Sequence, residues 1–124
     1  MPSIIPRELV ASAARIASGQ SAEFLNNDHK GIQLNINRSA VSGTTPTLVV
    51  KLQGKDPVSG TWYDILATGT INNTGHQTLT IFPGAPATAN VSGNAFLPAM
   101  YRIDWTIGGT TPSFTFSVGA SLME

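Results

Sequence analysis

The chain of 124 residues contains no cysteine. Disulfide frameworks, thiolate metal sites and cysteine nucleophiles are therefore excluded. It is also poor in charge: 11% of its residues are Asp, Glu, Lys or Arg, and seven basic residues balance seven acidic ones. That is less than half the usual charged share. Without a basic stripe there is nothing to track a phosphate backbone, so no nucleic acid is expected as a partner. Nor is there a field that would hold the protein on an anionic membrane. No apolar run approaches the roughly 18 residues of a membrane span. The start, Met1-Pro2-Ser3-Ile4-Ile5-Pro6-Arg7, lacks the basic and long apolar regions of an export signal, so synthesis in a cytoplasm is expected. A neutral, charge-poor surface is weakly protected against self-association, and it reads as a surface meant to be covered.

Motifs for catalysis are equally sparse. There is no Gly-x-Ser-x-Gly elbow, no phosphate loop and no dinucleotide-binding glycine pattern. The histidines are His29 and His76, both in polar turn-like settings. A metal would have to draw on Asp28, His29, Asp56, Asp64, His76 and Asp104, and none of these has the spacing of a known ligand set. A carboxylate pair across a cleft is possible in principle, for example Asp64 with Asp104. The expectation is a protein with no catalytic residues, no cofactor and no metal, and not an enzyme.

What is present is alternation. Ile32, Leu34 and Ile36 alternate with polar residues, as do Leu48, Val50 and Leu52, then Leu79 and Ile81. Tyr101, Ile103, Trp105 and Ile107 give the clearest run, followed by Phe114, Phe116 and Val118. Each reads as a half-buried antiparallel strand with Thr and Asn on its wet face. Turn sequences separate them: Ser42-Gly43-Thr44-Thr45-Pro46, Asp56-Pro57-Val58-Ser59-Gly60, Asn72-Asn73-Thr74-Gly75, and Gly108-Gly109-Thr110-Thr111-Pro112 as a hairpin. The aperiodic stretch from Pro83 to Pro98 reads as a crossover loop. The expected fold is all-β: an antiparallel β-sandwich, immunoglobulin-like or jelly-roll-like, over residues 11–124, with an N-terminal arm over residues 1–10. Gly-Thr-Thr-Pro occurs twice. Either two hairpins are related by a pseudo-twofold, or the tetrapeptide is simply a good loop sequence with proline heading a strand; the second is simpler.

The N-terminal region is ambiguous. Ile5, Leu9, Ala13 and Ile16 have helical spacing, yet the same stretch reads as an extended arm and a strand to Ser18, with a hairpin around Gly19-Gln20. The apolar start makes Ile4, Ile5, Arg7 and Leu9 candidate partner-binding residues, with a first strand of the sandwich as the alternative. Trp62 and Tyr63 are consecutive on a strand, so one should be core and the other exposed, and an exposed ring there could stack on a sugar. Trp105, sharing a face with Ile103 and Ile107, should be core.

Several segments together resemble a group of small structural proteins of tailed bacteriophages. They are Ala13-Ala14-Arg15-Ile16-Ala17-Ser18-Gly19, Ala40-Val41-Ser42-Gly43-Thr44-Thr45-Pro46-Thr47-Leu48, Gly54-Lys55-Asp56-Pro57-Val58-Ser59-Gly60-Thr61-Trp62-Tyr63, and Gly108-Gly109-Thr110-Thr111-Pro112-Ser113-Phe114-Thr115-Phe116-Ser117-Val118-Gly119. The chain is most similar to head decoration, or capsid cement, proteins. That resemblance implies a homotrimeric β-sandwich on the outer surface of the virion head, with the major capsid protein as partner. Tail or head–tail connector components of similar size, and a carbohydrate-binding module, are the alternative roles.

Overall fold

A β-strand rises about 3.3 Å per residue, so 25 residues laid straight would span roughly 80 Å. A domain of this length has a radius of gyration of only about 14 Å. This chain nevertheless contains two strands of that size, and bending them is how the fold is made. The computed structural model describes residues 4–26 and 28–123. Its strands are β1 (Ile4–Arg15), β2 (Gly19–Gln20), β3 (Phe24–Leu25), β4 (Gly31–Lys55), β5 (Trp62–Ala67), β6 (Gly75–Phe82), β7 (Ser92–Asn94) and β8 (Met100–Met123). Strands β4 and β8 pair antiparallel along their whole length, from Gly31 opposite Met123 to Gly54 opposite Tyr101.

The bend lies where the two Gly-Thr-Thr-Pro segments meet. Thr44 faces Thr110, with register shifts on either side. Gly43 and Gly109 have φ of 110° and 111°, and Thr45 and Thr111 have φ of 47° and 46°. Each of those threonines donates its hydroxyl to the carbonyl of the preceding threonine at 2.8 Å. A Cβ on Gly43 would lie 2.7 Å from the Thr111 carbonyl oxygen, and one on Gly109 would lie 2.6 Å from that of Thr45. The backbones therefore cross too closely for any side chain, and they do so symmetrically. Neither segment is a loop between strands, and Gly108–Pro112 forms no hairpin. The repeat is a pseudo-twofold after all, relating two halves of one crossed ribbon rather than two hairpins.

The bent ribbon has two halves. In the first, residues 31–42 of β4 and 113–123 of β8 are flanked by β1 on β8 and by β6, with β7 parallel beyond it. In the second, residues 47–55 and 100–108 are flanked by β2 and β3 on β8, and by β5 on β4. Inward residues of both halves form a single buried cluster, including Ile32, Leu34 and Ile36 from one and Leu48, Val50 and Leu52 from the other. Trp105 and Phe116 meet edge to face across it at 5.7 Å. The molecule is thus an all-β sandwich made by folding one continuous sheet. Its accessible surface, 6441 Å², is close to the roughly 6,300 Å² expected of a monomeric domain of 13 kDa.

The N-terminal arm is a strand of this sandwich. Residues 4–15 pair with the C-terminal half of β8, Ile4 opposite Met123 and Arg15 opposite Phe114. An arm boundary at residue 10 falls inside β1. Two register shifts, between Glu8 and Val10 and between Val10 and Ala13, break the strand's alternation and turn both Leu9 and Val10 inward. Such bulges add a residue to one strand; of the residues at helical spacing, Leu9 is buried while Ile5, Ala13 and Ile16 are exposed. Gly19-Gln20 makes no hairpin either, but runs as β2 against Trp105 and Asp104.

Two arginines of β1 close the sandwich at that edge. The Arg15 guanidinium lies 4.9 Å from the centroid of Trp105 and 5.5 Å from that of Phe116. Arg7 lies 4.8 Å from that of Phe24, with Nη1 donating to the Leu25 carbonyl at 3.3 Å and to the Tyr101 hydroxyl at 3.4 Å. Each ties the first half to the second, at about 0.5–2 kcal/mol per cation–π contact.

Candidate functional site

An apolar accessible region lies at the far end of the second half, where the β4–β5 connection meets the segment leading into β8. The β4–β5 turn is self-supporting. The Asp56 carboxylate accepts the Val58 N–H at 2.9 Å and the Ser59 N–H at 3.3 Å, while Gly60 (φ 75°) donates to the Asp56 carbonyl at 2.9 Å. Those turn amides, the Val58 N–H first, hold the Asp56 carboxyl below its ordinary pKa. They also fix Val58 at the tip with 95% of its surface exposed.

Beside this tip is a groove of about 660 Å³ lined by Val58, Tyr63, Phe96, Pro98 and Met100, with Lys55 and Asp56 as its charged members. Its floor depends on Gly54: a Cβ there would lie 2.7 Å from the Tyr63 ring and 2.8 Å from Pro98. Phe96 is 67% exposed, Leu25 56% and Tyr63 46%, and Leu25 pairs with Met100 at the groove's edge. Four large apolar side chains thus surround one end of a charge-poor molecule.

The expected site residues are distributed unevenly around it. Tyr63 belongs to the groove. Trp62 is neither core nor free: it is half-buried on the outer face, with Arg102 at 4.2 Å and Lys55 at 5.6 Å from its ring centroid. Neither of the two rings is in the core, because β5 is an edge strand at the sandwich's open end. Trp105 is core, 7% exposed, with its indole N–H donating to the Ala17 carbonyl at 3.1 Å. Leu9 is 6% exposed and belongs to the core, so it is not available to a partner. Arg7 is held within the chain by Phe24, Leu25 and Tyr101. Ile5, 45% exposed, remains accessible, while the Ile4 side chain lies outside the described residues. Val58, Phe96 and Leu25 were missed by the sequence reading. The signal for Val58 was an apolar residue inside a Pro/Ser/Gly turn, where nothing could cover it.

Asp64 and Asp104 do not form a carboxylate pair. Both lie on the outer face of the second half, on either side of Lys51, not across a cleft. Asp64 accepts the Gln53 amide at 2.9 Å and pairs with Lys51 at 3.3 Å. The Gln53 bond first, and Lys51 after it, hold the Asp64 carboxyl below the usual range. Asp104 accepts the Gln20 amide at 2.9 Å and faces Lys51 in the ladder. Among the described residues, no three His, Asp or Glu side chains gather as a metal site. Burial raises the pKa of Tyr101, partly offset by Arg7.

No family model matches the chain, and no curated protein does. Its fold is similar to two solved structures. One is the SPBc2 prophage-derived protein YomS, 11% identical, with 100% of this chain and 96% of that one covered at a TM-score of 0.49. The other is a chain in the structure of infectious bursal disease virus, Gx strain, 10% identical at a TM-score of 0.52. That match covers 98% of this chain but only 32% of the viral one. At such identity the second likeness establishes the sandwich fold. The class is thus an all-β sandwich with one apolar, accessible end and no assembled set of catalytic groups among the described residues.

Proposed function

We propose that this chain is a non-enzymatic structural protein of a virus particle, of the kind that decorates and cements the outer surface of an assembled head. The observation that carries the reading is the groove at the β4–β5 end, lined by Val58, Tyr63 and Phe96 with exposed Leu25 paired to Met100 beside it, in a chain of zero net charge. Such a surface suits contact with neighbouring protein, here the major capsid protein and further copies in a homotrimer, with neither nucleic acid nor membrane. A sandwich fold shared over 98% of the chain with part of a viral protein supports the reading by analogy of fold. A cement protein acts by mass action: binding only the assembled shell, it stabilises that state. Many equivalent weak contacts then add through avidity.

The test is the copy number relative to the major shell protein in purified particles, by quantitative mass spectrometry. Hundreds of copies per particle are expected. A dozen or fewer would move the chain to the tail or connector, and none would overturn the reading. A second reading, sugar binding, is favoured by the exposed Tyr63 ring on the groove. It requires glycan binding that disappears in Tyr63→Ala.

A further inference from the structure

Among the described residues, Arg38 is a buried cation with no acidic partner. It is 7% exposed and sits on the inward face of β4, between Phe116 of β8 and Gly75 of β6. Among the described residues the ion pairs are Lys51–Asp64 and Lys55–Glu23. The segments around Arg38, residues 34–40, 72–77 and 114–118, contain neither Asp nor Glu. Its bonds all go to neutral oxygens and all are long. Nε donates to the Asn73 carbonyl at 3.3 Å, Nη2 to the Asn73 side-chain oxygen at 3.3 Å, and Nη1 to the Ile36 carbonyl at 3.5 Å. A guanidinium bonded to an anion sits at about 2.7–2.9 Å and offers five donors. Three are used here, and weakly.

The turn above it is residues 72–75. Gly75, at φ 139°, has no side chain where the nearest atom to a Cβ would be Arg38 Nη2, 3.4 Å away. Asn72, Asn73 and Thr74 beside it are exposed. The arginine stem fills the core and carries the head to the rim beneath this turn. Desolvation lowers the Arg38 pKa, consistent with a charge lacking compensation.

We propose that Arg38 and turn 72–75 form a small oxyanion site, in which the two oxygens of Asn73 stand in for those of a carboxylate or phosphate. The site is separate from the apolar groove and does not depend on the virion reading. A carboxylate would come from an acidic side chain of a partner protein, and a phosphate from free solution.

The experiment uses the full-length, ¹⁵N-labelled chain and follows arginine Nε–H resonances by NMR. Sodium acetate and sodium phosphate are titrated in separate arms, each against sodium chloride at equal ionic strength. A saturable shift of the Arg38 resonance, with a dissociation constant on the order of 1–10 mM, is expected. Saturation with acetate assigns the site to carboxylates, and with phosphate alone to the free ion. Asn73→Ala removes the competing side-chain oxygen and keeps Arg38, so the anion should bind two- to fivefold tighter. Shifts no larger than in chloride, or an unchanged affinity in a folded Asn73→Ala, would overturn the proposal and leave Arg38 as a brace for the turn.

Discussion

The two halves of the crossed ribbon are alike inside and unlike outside. Beyond their Gly-Thr-Thr-Pro segments, Leu48, Val50 and Leu52 of β4 occupy the inward positions that Phe114, Phe116 and Val118 occupy on β8, all 1% exposed or less. The outer face of the first half carries Gln33, Asn35 and Asn37 opposite Ser121, Gly119 and Ser117, with Glu8 of β1 beside Gly119 as the charge in these rows. The outer face of the second half carries Lys51, Gln53, Lys55, Arg102, Asp104 and Asp64, linked by ion pairs and amide bonds. The first half is covered by the long β1 and β6, the second by the short β2, β3 and β5. The pseudo-twofold therefore governs the core, while the unequal cover leaves one end apolar and open.

This contrast can be broken in order of size. Phe116→Ala should lower the unfolding free energy by about 3–5 kcal/mol, whereas Phe96→Ala, at the exposed end, should change it by less than about 0.5 kcal/mol. Denaturant titration of both checks this, and equal losses would mean that the apolar end is part of the core. Gly43→Ala and Gly109→Ala should each cost about 1–3 kcal/mol, and by similar amounts. A markedly unequal pair of thermal midpoints would break the symmetry of the bend.

Arg15→Met should cost about 1 kcal/mol through its lost cation–π contacts and shift the Trp105 fluorescence spectrum, reporting whether β1 is clasped to the second half. The smallest effect belongs to the outer ladder. Lys51 and Asp64 are 31% and 54% exposed, so Lys51→Ala should cost between 0 and about 1 kcal/mol. The folded Asp64 pKa is depressed. Its contribution is thus present above the unfolded carboxylate value of about 3.9 and lost as pH falls through the folded one. Urea midpoints measured from pH 6 down to pH 3 in the wild type and Asp64→Asn would show it.

Much of the fold was legible because alternation is a direct consequence of strand geometry. The inward residues read in Ile32-Leu34-Ile36, Leu48-Val50-Leu52, Tyr101-Ile103-Trp105 and Phe114-Phe116-Val118 are buried, and Ile107, read with the third run, is partly buried. The turns at 56–60 and 72–75 are also where the sequence placed them, since Asp-Pro and Asn-Asn-Thr-Gly act locally. Gly-Thr-Thr-Pro was misread because it has loop chemistry, whereas here each copy bends a strand against the other copy, a relation between residues 66 positions apart. The groove was invisible for the same reason: Tyr63 and Val58 come from one hairpin, while Phe96 and Pro98 come from a segment that only the fold brings beside it.

Composition and period-two patterning by themselves determined an all-β chain, its core-facing residues and its neutral surface, because these depend on each residue's own polarity and on strand geometry. Tertiary structure alone decided that two strands would each cross the whole molecule, that the first residues would become an edge strand, and that one end would stay apolar and uncovered. Those outcomes depend on which strand edges find partners, and pairing between distant segments leaves no mark on either segment alone.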